Sequence, residues 1–251
     1  INNLATNYSS AAFANKNVGN SKTVTVAGIT LSGSLASNYV LNTNSLSPTA
    51  NITPLSLLVT ATAQDKVYDA TNAATVTLST NALSGDVVNV AYTSATFAGA
   101  DVVFSGSTVI PQTVTVAGLT LSGAASGNYV LKNSGVTYSS VTTSAKITPA
   151  PLSISAVGVD KVYDGTISGS VNLSVTGLKG SDQVSGTYVS ATFADANVGS
   201  AIPLTVTGLG ITTSGSTVLA NYTVNSSASA TANITRAPLT VTVALATVTV
   251  K

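Results

Sequence analysis

The stretch Thr113-Val114-Thr115-Val116-Ala117-Gly118-Leu119-Thr120-Leu121 decides the fold class. Valine and threonine alternate with a period of two, the pattern of a strand with one face in a core and the other in solvent. Threonine on the outer face keeps the preference for extended backbone high without adding charge. At Ala117-Gly118 the inward phase passes from even to odd positions, as a bulge or bend would require. The same pattern stands upstream over nine residues as Thr23-Val24-Thr25-Val26-Ala27-Gly28-Ile29-Thr30-Leu31 and downstream over eight as Leu204-Thr205-Val206-Thr207-Gly208-Leu209-Gly210-Ile211.

Working outward, other blocks recur in the same order. Asp65-Lys66-Val67-Tyr68-Asp69 returns as Asp160-Lys161-Val162-Tyr163-Asp164. The block from Tyr92 to Ala98 matches the block from Tyr188 to Ala194 and an earlier one from Tyr8 to Ala14. Asn38-Tyr39, Asn128-Tyr129 and Asn221-Tyr222 follow, and units close on Ile52-Thr53-Pro54, Ile147-Thr148-Pro149 or Ile234-Thr235-Arg236. Proline marks the joints. The chain therefore parses as the C-terminal half of a repeat at 1–54, complete repeats at 55–150 and 151–237, and the first strand of a following repeat at 238–251. A frame out of phase with its repeat is expected of a stretch of a longer protein.

Short alternating strands, turns of Gly, Asn and Ser, and no sustained helical period predict an all-β chain of tandem Ig-like antiparallel β-sandwiches in an elongated array. A β-solenoid is the minor alternative. Its repeats run to roughly 20–30 residues, much shorter than the spacing here. The recurring aromatics Tyr8/Tyr92/Tyr188 and Phe13/Phe97/Phe193 are expected in the cores.

Composition narrows the function. Of 251 residues only 7% are charged, the net charge is +1, and there is no Cys, His, Met or Trp; all eight acids are Asp. Without His there is no common general base, and without Cys or His no soft-metal site, so no catalytic residue and no cofactor is expected. Nine basic residues, thinly spread, do not make a nucleic-acid footprint. Apolar runs broken by Ser and Thr predict no membrane insertion.

The motif Lys161-Val162-Tyr163-Asp164-Gly165-Thr166, with its variant Lys66-Val67-Tyr68-Asp69-Ala70-Thr71, resembles the YDG and related "mostly bacterial Ig-like" repeats of large bacterial surface proteins. The resemblance covers nearly the whole chain. It implies a bacterial origin, export to the cell surface or matrix, and a structural stalk in a filamentous-haemagglutinin-like adhesin that supports attachment or biofilm. It brings no catalytic residues. Ala70 at the family's glycine position argues from sequence against a glycine-only backbone angle there.

Several residues invite sharper readings. Asp65/Asp69 and Asp160/Asp164 are candidate calcium ligands, with turn capping as the plainer alternative in which Tyr68 or Tyr163 packs inward. Lys66 or Lys161 beside carboxylates raises a Lys–Asn isopeptide crosslink, against the ordinary expectation of a lysine stem on the surface. Asn7, Asn51, Asn172, Asn221, Asn225 and Asn233 sit in glycosylation sequons. Leu239, Val241, Val243 and Leu245, continued by Val248 and Val250, form an alternating strand with no partner by repeat logic.

That last feature supports an alternative function, a self-assembling filament in which 238–251 of one copy completes the half-repeat of the next. A third reading is a glycan-binding module using Tyr and Asn, for which nine Tyr, four Phe and no Trp offer little stacking surface. Expected partners are adjacent repeats, copies of the chain, and a host or matrix surface.

Overall fold

The computed structural model describes residues 3–243. The alternating segments are strands, and the described chain is all-β apart from three single 3-10 turns, Ala36–Asn38, Ser126–Asn128 and Leu219–Asn221. No helix of the described residues is long and apolar enough to cross a membrane.

In Gln112–Ala117 the side chains of Val114 and Val116 are fully buried, and Leu119 continues the core beyond the Ala-Gly step. That step is a corner. The chain leaves one strand at Ala117, turns at Gly118 with φ +69°, and enters Thr120–Ser122, which pairs antiparallel with Asn89–Ala91. A Cβ on Gly118 would lie 2.1 Å from Thr93 Oγ1, and one on Gly28 (φ +69°) 2.0 Å from Ser9 Oγ. Both the angle and the space demand glycine.

The third repeat shows the sandwich most fully. Ala150–Val159 runs antiparallel to Ser170–Thr176 and parallel to Tyr222–Val224. In the facing layer Lys161–Val162, Ser227–Thr235, Gly199–Thr207 and Ser190–Phe193 lie side by side in that order. Val171, Ala191, Phe193, Leu204, Val206, Ala232 and Ile234 close the core, with Ala156 and Leu173 packed against them. Each fully buried Val, Leu, Ile or Phe among them contributes roughly 1.5–3 kcal/mol of transfer free energy.

The antiparallel expectation fails at the opening strand of each repeat. Leu55–Leu57 pairs parallel with Tyr129–Asn133, and Lys66–Val67 pairs parallel with Ile147–Thr148; Lys161–Val162 does the same with Ser227–Thr235. The cause is a strand that starts in one layer and finishes in the other, so each half lies beside a neighbour running the same way. Gly158 marks the crossing: a Cβ there would sit 2.5 Å from Thr231 O.

Two compact units are resolved: 1–63 with 75–96 and 114–143, and 64–74 with 97–113 and 144–251. Each holds one boundary between successive repeats. In the first, Ser10–Phe13, Gly19–Ala27, and Ser45–Leu46 with Thr49–Ile52 form one sheet, and Val59–Ala63 pairs with Val76–Thr80.

Two further expectations are corrected. Phe97 and Phe193 are core residues and Tyr188, partly buried, packs against the core of the third repeat, but Tyr8 and Tyr92 are exposed and Phe13 is 37% exposed. Residues 236–243 form no strand, and Leu239, Val241 and Val243 are exposed. Leu245, Val248 and Val250 lie outside the described residues.

Candidate functional site: the boundary between repeats

The tyrosine motif is built on a two-residue strand. Lys66 N–H donates to Lys146 O at 2.9 Å and Tyr68 N–H to Thr148 O at 2.8 Å. This pairing turns Lys66 and Tyr68 inward and leaves Val67 51% exposed, the reverse of the usual division between charge and hydrophobe. Lys66 Nζ lies 5.6 Å from the centre of the Phe97 ring and donates to Asp69 Oδ1 (2.8 Å), Thr71 O (2.7 Å) and Ala73 O (3.0 Å). Lys161 repeats the arrangement on Phe193 at 5.5 Å, with Asp164 Oδ1, Thr166 O and Ser168 O at 2.8, 2.7 and 2.9 Å. The ammonium is thus fully engaged inside a turn rather than hydrated on a surface.

Each candidate calcium ligand has such a place. Asp65 Oδ1 accepts Lys146 N–H, and Asp160 accepts the backbone N–H and Nδ2 of Asn233. Asp69 and Asp164 each hold a lysine together with the N–H and hydroxyl of Thr71 or Thr166. Lys161 and the Thr166 donors bring Asp164 down to about 2, and the Asn233 donors lower Asp160. Burial raises Asp69, but Lys66 and Thr71 outweigh it and the carboxyl ends below its ordinary value. Among the described residues no group of three or more acid, His or Cys side chains gathers where a metal would sit. The polar partners of Lys66 and Lys161 are Asp, Thr and main-chain carbonyls, with no Asn among them.

The glycine reading of the motif is overturned. Ala70 has φ +65° and Gly165 φ +76°, so both copies use the left-handed conformation and Ala70 carries its strain, about 1–2 kcal/mol.

Tyr68 does not end in its own repeat. It is 4% exposed, and its hydroxyl donates at 2.9 Å to Asp182 Oδ2, in the third repeat. The same oxygen accepts Tyr222 O–H at 2.7 Å, and the two rings meet edge to face, 5.4 Å apart. Beside them Asn221, fully buried, accepts Val102 N–H at 2.8 Å and donates to Asp101 Oδ1 at 2.7 Å. Burial, then the hydrogen bond to Asp182, pushes Tyr222 up to about 12, and the same causes raise Tyr68.

The first boundary repeats this with two substitutions, Asn17 for Asp101 and a lysine for one phenol. Asn128 accepts Val18 N–H at 2.9 Å and donates to Asn17 Oδ1 at 3.2 Å, and Tyr129 O–H donates to Asp86 Oδ2 at 2.8 Å. In place of a second phenol, the Lys16 ammonium is paired with Asp86. Lys16 and Tyr129 hold the Asp86 carboxyl below its usual range.

A model of the YDG domain matches this chain three times, over residues 2–46, 53–138 and 148–232. The chain belongs to the YDG domain family. Comparison with curated proteins and with solved structures found no match.

In the two complete YDG repeats the name-giving tyrosines part company: Tyr68 is locked into the next repeat, whereas Tyr163 is 43% exposed. Asp86, Asp182, Asp101 and the Asn-Tyr pairs carry the boundary, and the sequence reading of sites did not single them out. A signal existed. Asp86 and Asp182 each stand six residues before a recurring tyrosine, Tyr92 or Tyr188, in a chain with eight acids. The sequons also take on structural roles: Asn221 is inaccessible, Asn51 and Asn233 accept Ser21 N–H and Ala201 N–H at strand irregularities, and Asn225 holds Ile154.

Proposed function

We propose that this chain is a load-bearing stretch of the stalk of a secreted bacterial surface adhesin, a spacer between the cell and whatever the protein attaches to. The observation that carries this reading is the repeated boundary: the same Asn and Asp positions, Asn128 and Asp86 and then Asn221 and Asp182, bond successive repeats twice. Arrays of such modules gain length by nearest-neighbour contacts alone, without new chemistry. Directional bonds at each boundary add resistance to bending that a flexible linker lacks. Localisation to the cell exterior and a role in attachment or biofilm belong to the same proposal.

Antibodies raised against this chain provide the test. On intact cells of the organism that makes it they should label the outer surface, and excising one repeat from the gene should shorten the labelled projection. Label confined to permeabilised cells would overturn the reading.

A second reading, a self-assembling filament, is favoured by one observation. Exposed Leu239 and Val241 occupy the repeat positions of Leu152 and Ile154, both buried. An apolar groove of about 310 Å³ in the first repeat, lined by residues including Val26, Ile29, Leu41 and Leu46, would receive such a strand. Electron microscopy of the full chain beside one ending at Arg236 separates the two: fibres only from the full chain support the filament.

A further inference from the structure

We propose that Asn172, in the third repeat, is a site of N-linked glycosylation, and that the attached sugar covers the exposed Val157 side chain on the neighbouring strand. The inference stands on residues inside a complete repeat and goes beyond the stalk reading.

Six asparagines stand in Asn-x-Ser/Thr sequons, and the fold separates them. Attachment of a sugar uses the amide nitrogen, so the amide must be free of protein partners. Asn221 is fully buried and bonded through both of its amide atoms. Asn225 and Asn233 also use both, the first on the main chain of Ile154, the second on Ala201 N–H and Asp160. Asn51 accepts Ser21 N–H where the strand register breaks. Asn7 donates to Ser32 Oγ at 2.8 Å, and the hydroxyl of its sequon, Ser9 Oγ, is bonded to Ala27 O.

Asn172 differs from all five. Alternation along Ser170–Thr176 turns Val171 into the core and Asn172 and Ser174 outward, and among the described residues neither of those two side chains has a hydrogen-bond partner. Residues two apart on a strand share a face, so the amide and the sequon hydroxyl stand side by side at the surface. The strand is the outer one of its sheet, pairing with Ala150–Val159. Next to Asn172 lies an open groove of about 390 Å³, bordered by Ser185 and Gly186, where a sugar ring can lie.

The residue across the strand pair is the second observation. Val157 lies opposite Asn172, which puts their Cβ atoms roughly 5 Å apart, and it is 67% exposed. One exposed valine is ordinary. The preceding repeat makes this one informative, because there the same two positions are Thr77 and Thr62, again paired with each other. Sequon and exposed hydrophobe thus arrive together. A sugar linked to Asn172 lays the C–H face of its ring on Val157 and turns its hydroxyls to water. The hydrated group also blunts an uncharged outer strand that would otherwise offer its edge to another molecule.

In the attachment the amide nitrogen attacks the anomeric carbon of a sugar activated as a phosphate ester. The bond from that carbon to the phosphate oxygen breaks, the phosphate leaves with the electron pair, and the nitrogen gives up one proton.

The test is mass spectrometry of the chain isolated from the organism that makes it. Cleavage after Lys161 and Lys179 releases residues 162–179, in which Asn172 is the sole asparagine. A mass increment of one or more sugar residues is expected on this fragment, placed on Asn172 by fragmentation and lost in Asn172→Gln. In the isotope-labelled glycoprotein, magnetic resonance should show sugar protons in through-space contact with the Val157 methyls. An unmodified fragment would overturn the proposal, as would sugar carried on its serines or threonines, or on Asn221 or Asn225 in place of Asn172. Sugar on Asn172 without contact to Val157 would overturn the covering role.

Discussion

Replacing Tyr68 with Phe removes one oxygen and leaves the ring in place, while Tyr163→Phe makes the identical change in the next copy of the motif. The Tyr68 hydroxyl donates to Asp182 at 2.9 Å from a side chain that is 4% exposed. A hydrogen bond to a charged group contributes roughly 1.5–3 kcal/mol net. Asp182 Oδ2 keeps the Tyr222 hydroxyl at 2.7 Å, and the phenyl ring keeps its edge contact with Tyr222, so the loss falls at the lower end, about 1–2 kcal/mol. For Tyr163, partly exposed and with no side-chain hydrogen bond among the described residues, the same change should stay within about 0.5 kcal/mol. Urea unfolding followed by far-ultraviolet circular dichroism reads the difference as a lowered midpoint for the first variant alone. Adding Asp182→Asn to Tyr68→Phe should cost less than the sum of the single changes, since both remove the same bond. If the two Phe variants unfold together, the motif tyrosine is a packing residue and the boundary bond is incidental.

Other consequences can be checked on the same material. Asn221→Ala leaves Val102 N–H and Asp101 without their buried partner and should lower stability by about 2–4 kcal/mol, seen as a drop in Tm. Gly158→Ala places a methyl 2.5 Å from Thr231 O and should cost about 1–3 kcal/mol, whereas Gly127→Ala, with nothing within 4 Å, should be nearly silent. Tyr222, raised to about 12 from an ordinary 10.0, gives stability that is fully present below pH 10 and is lost as pH rises towards 12. Asp164, lowered to about 2 from 3.8, gives stability present above pH 3.8 and lost as pH falls towards 2. Urea midpoints across both ranges should fall at each end, and Asp164→Asn should flatten the acid limb. Calcium or a chelator should leave Tm unchanged, because the four motif aspartates already hold protein donors.

Alternation carried most of the fold. Val114, Val116 and Leu119 are buried as their period demands, and the Ala-Gly step announces the corner that Gly118 makes. Parallel pairing was not legible, because it arises from a strand changing layers at Gly158, and only the approach of Thr231 shows that crossing. The inward lysines were misread for a related reason. Hydropathy puts Val67 inside and Lys66 outside, but three acceptors and an aromatic face at one point reverse the preference, and their convergence is a property of the folded turn. Tyr68 packs inward as the turn reading expects, yet the partner of its hydroxyl stands 114 residues away, beyond any local pattern.

The distribution of charge ties these observations together. All eight acids have fixed partners: Asp65, Asp69, Asp160 and Asp164 shape the motif turns, Asp86 and Asp182 receive phenols at the boundaries, Asp101 holds Asn221, and Asp195 caps Asn197 N–H. A chain with so little charge places it where direction matters. Apolar contact between repeats would tolerate sliding and rotation, since burial depends on area and not on angle. A carboxylate shared by two hydroxyls, beside an amide that both donates and accepts, is satisfied in one orientation, and an unmade bond there costs about 1–3 kcal/mol. The second boundary, where Tyr68 and Tyr222 share Asp182 beside Asn221, therefore favours one orientation of the repeats on either side of it.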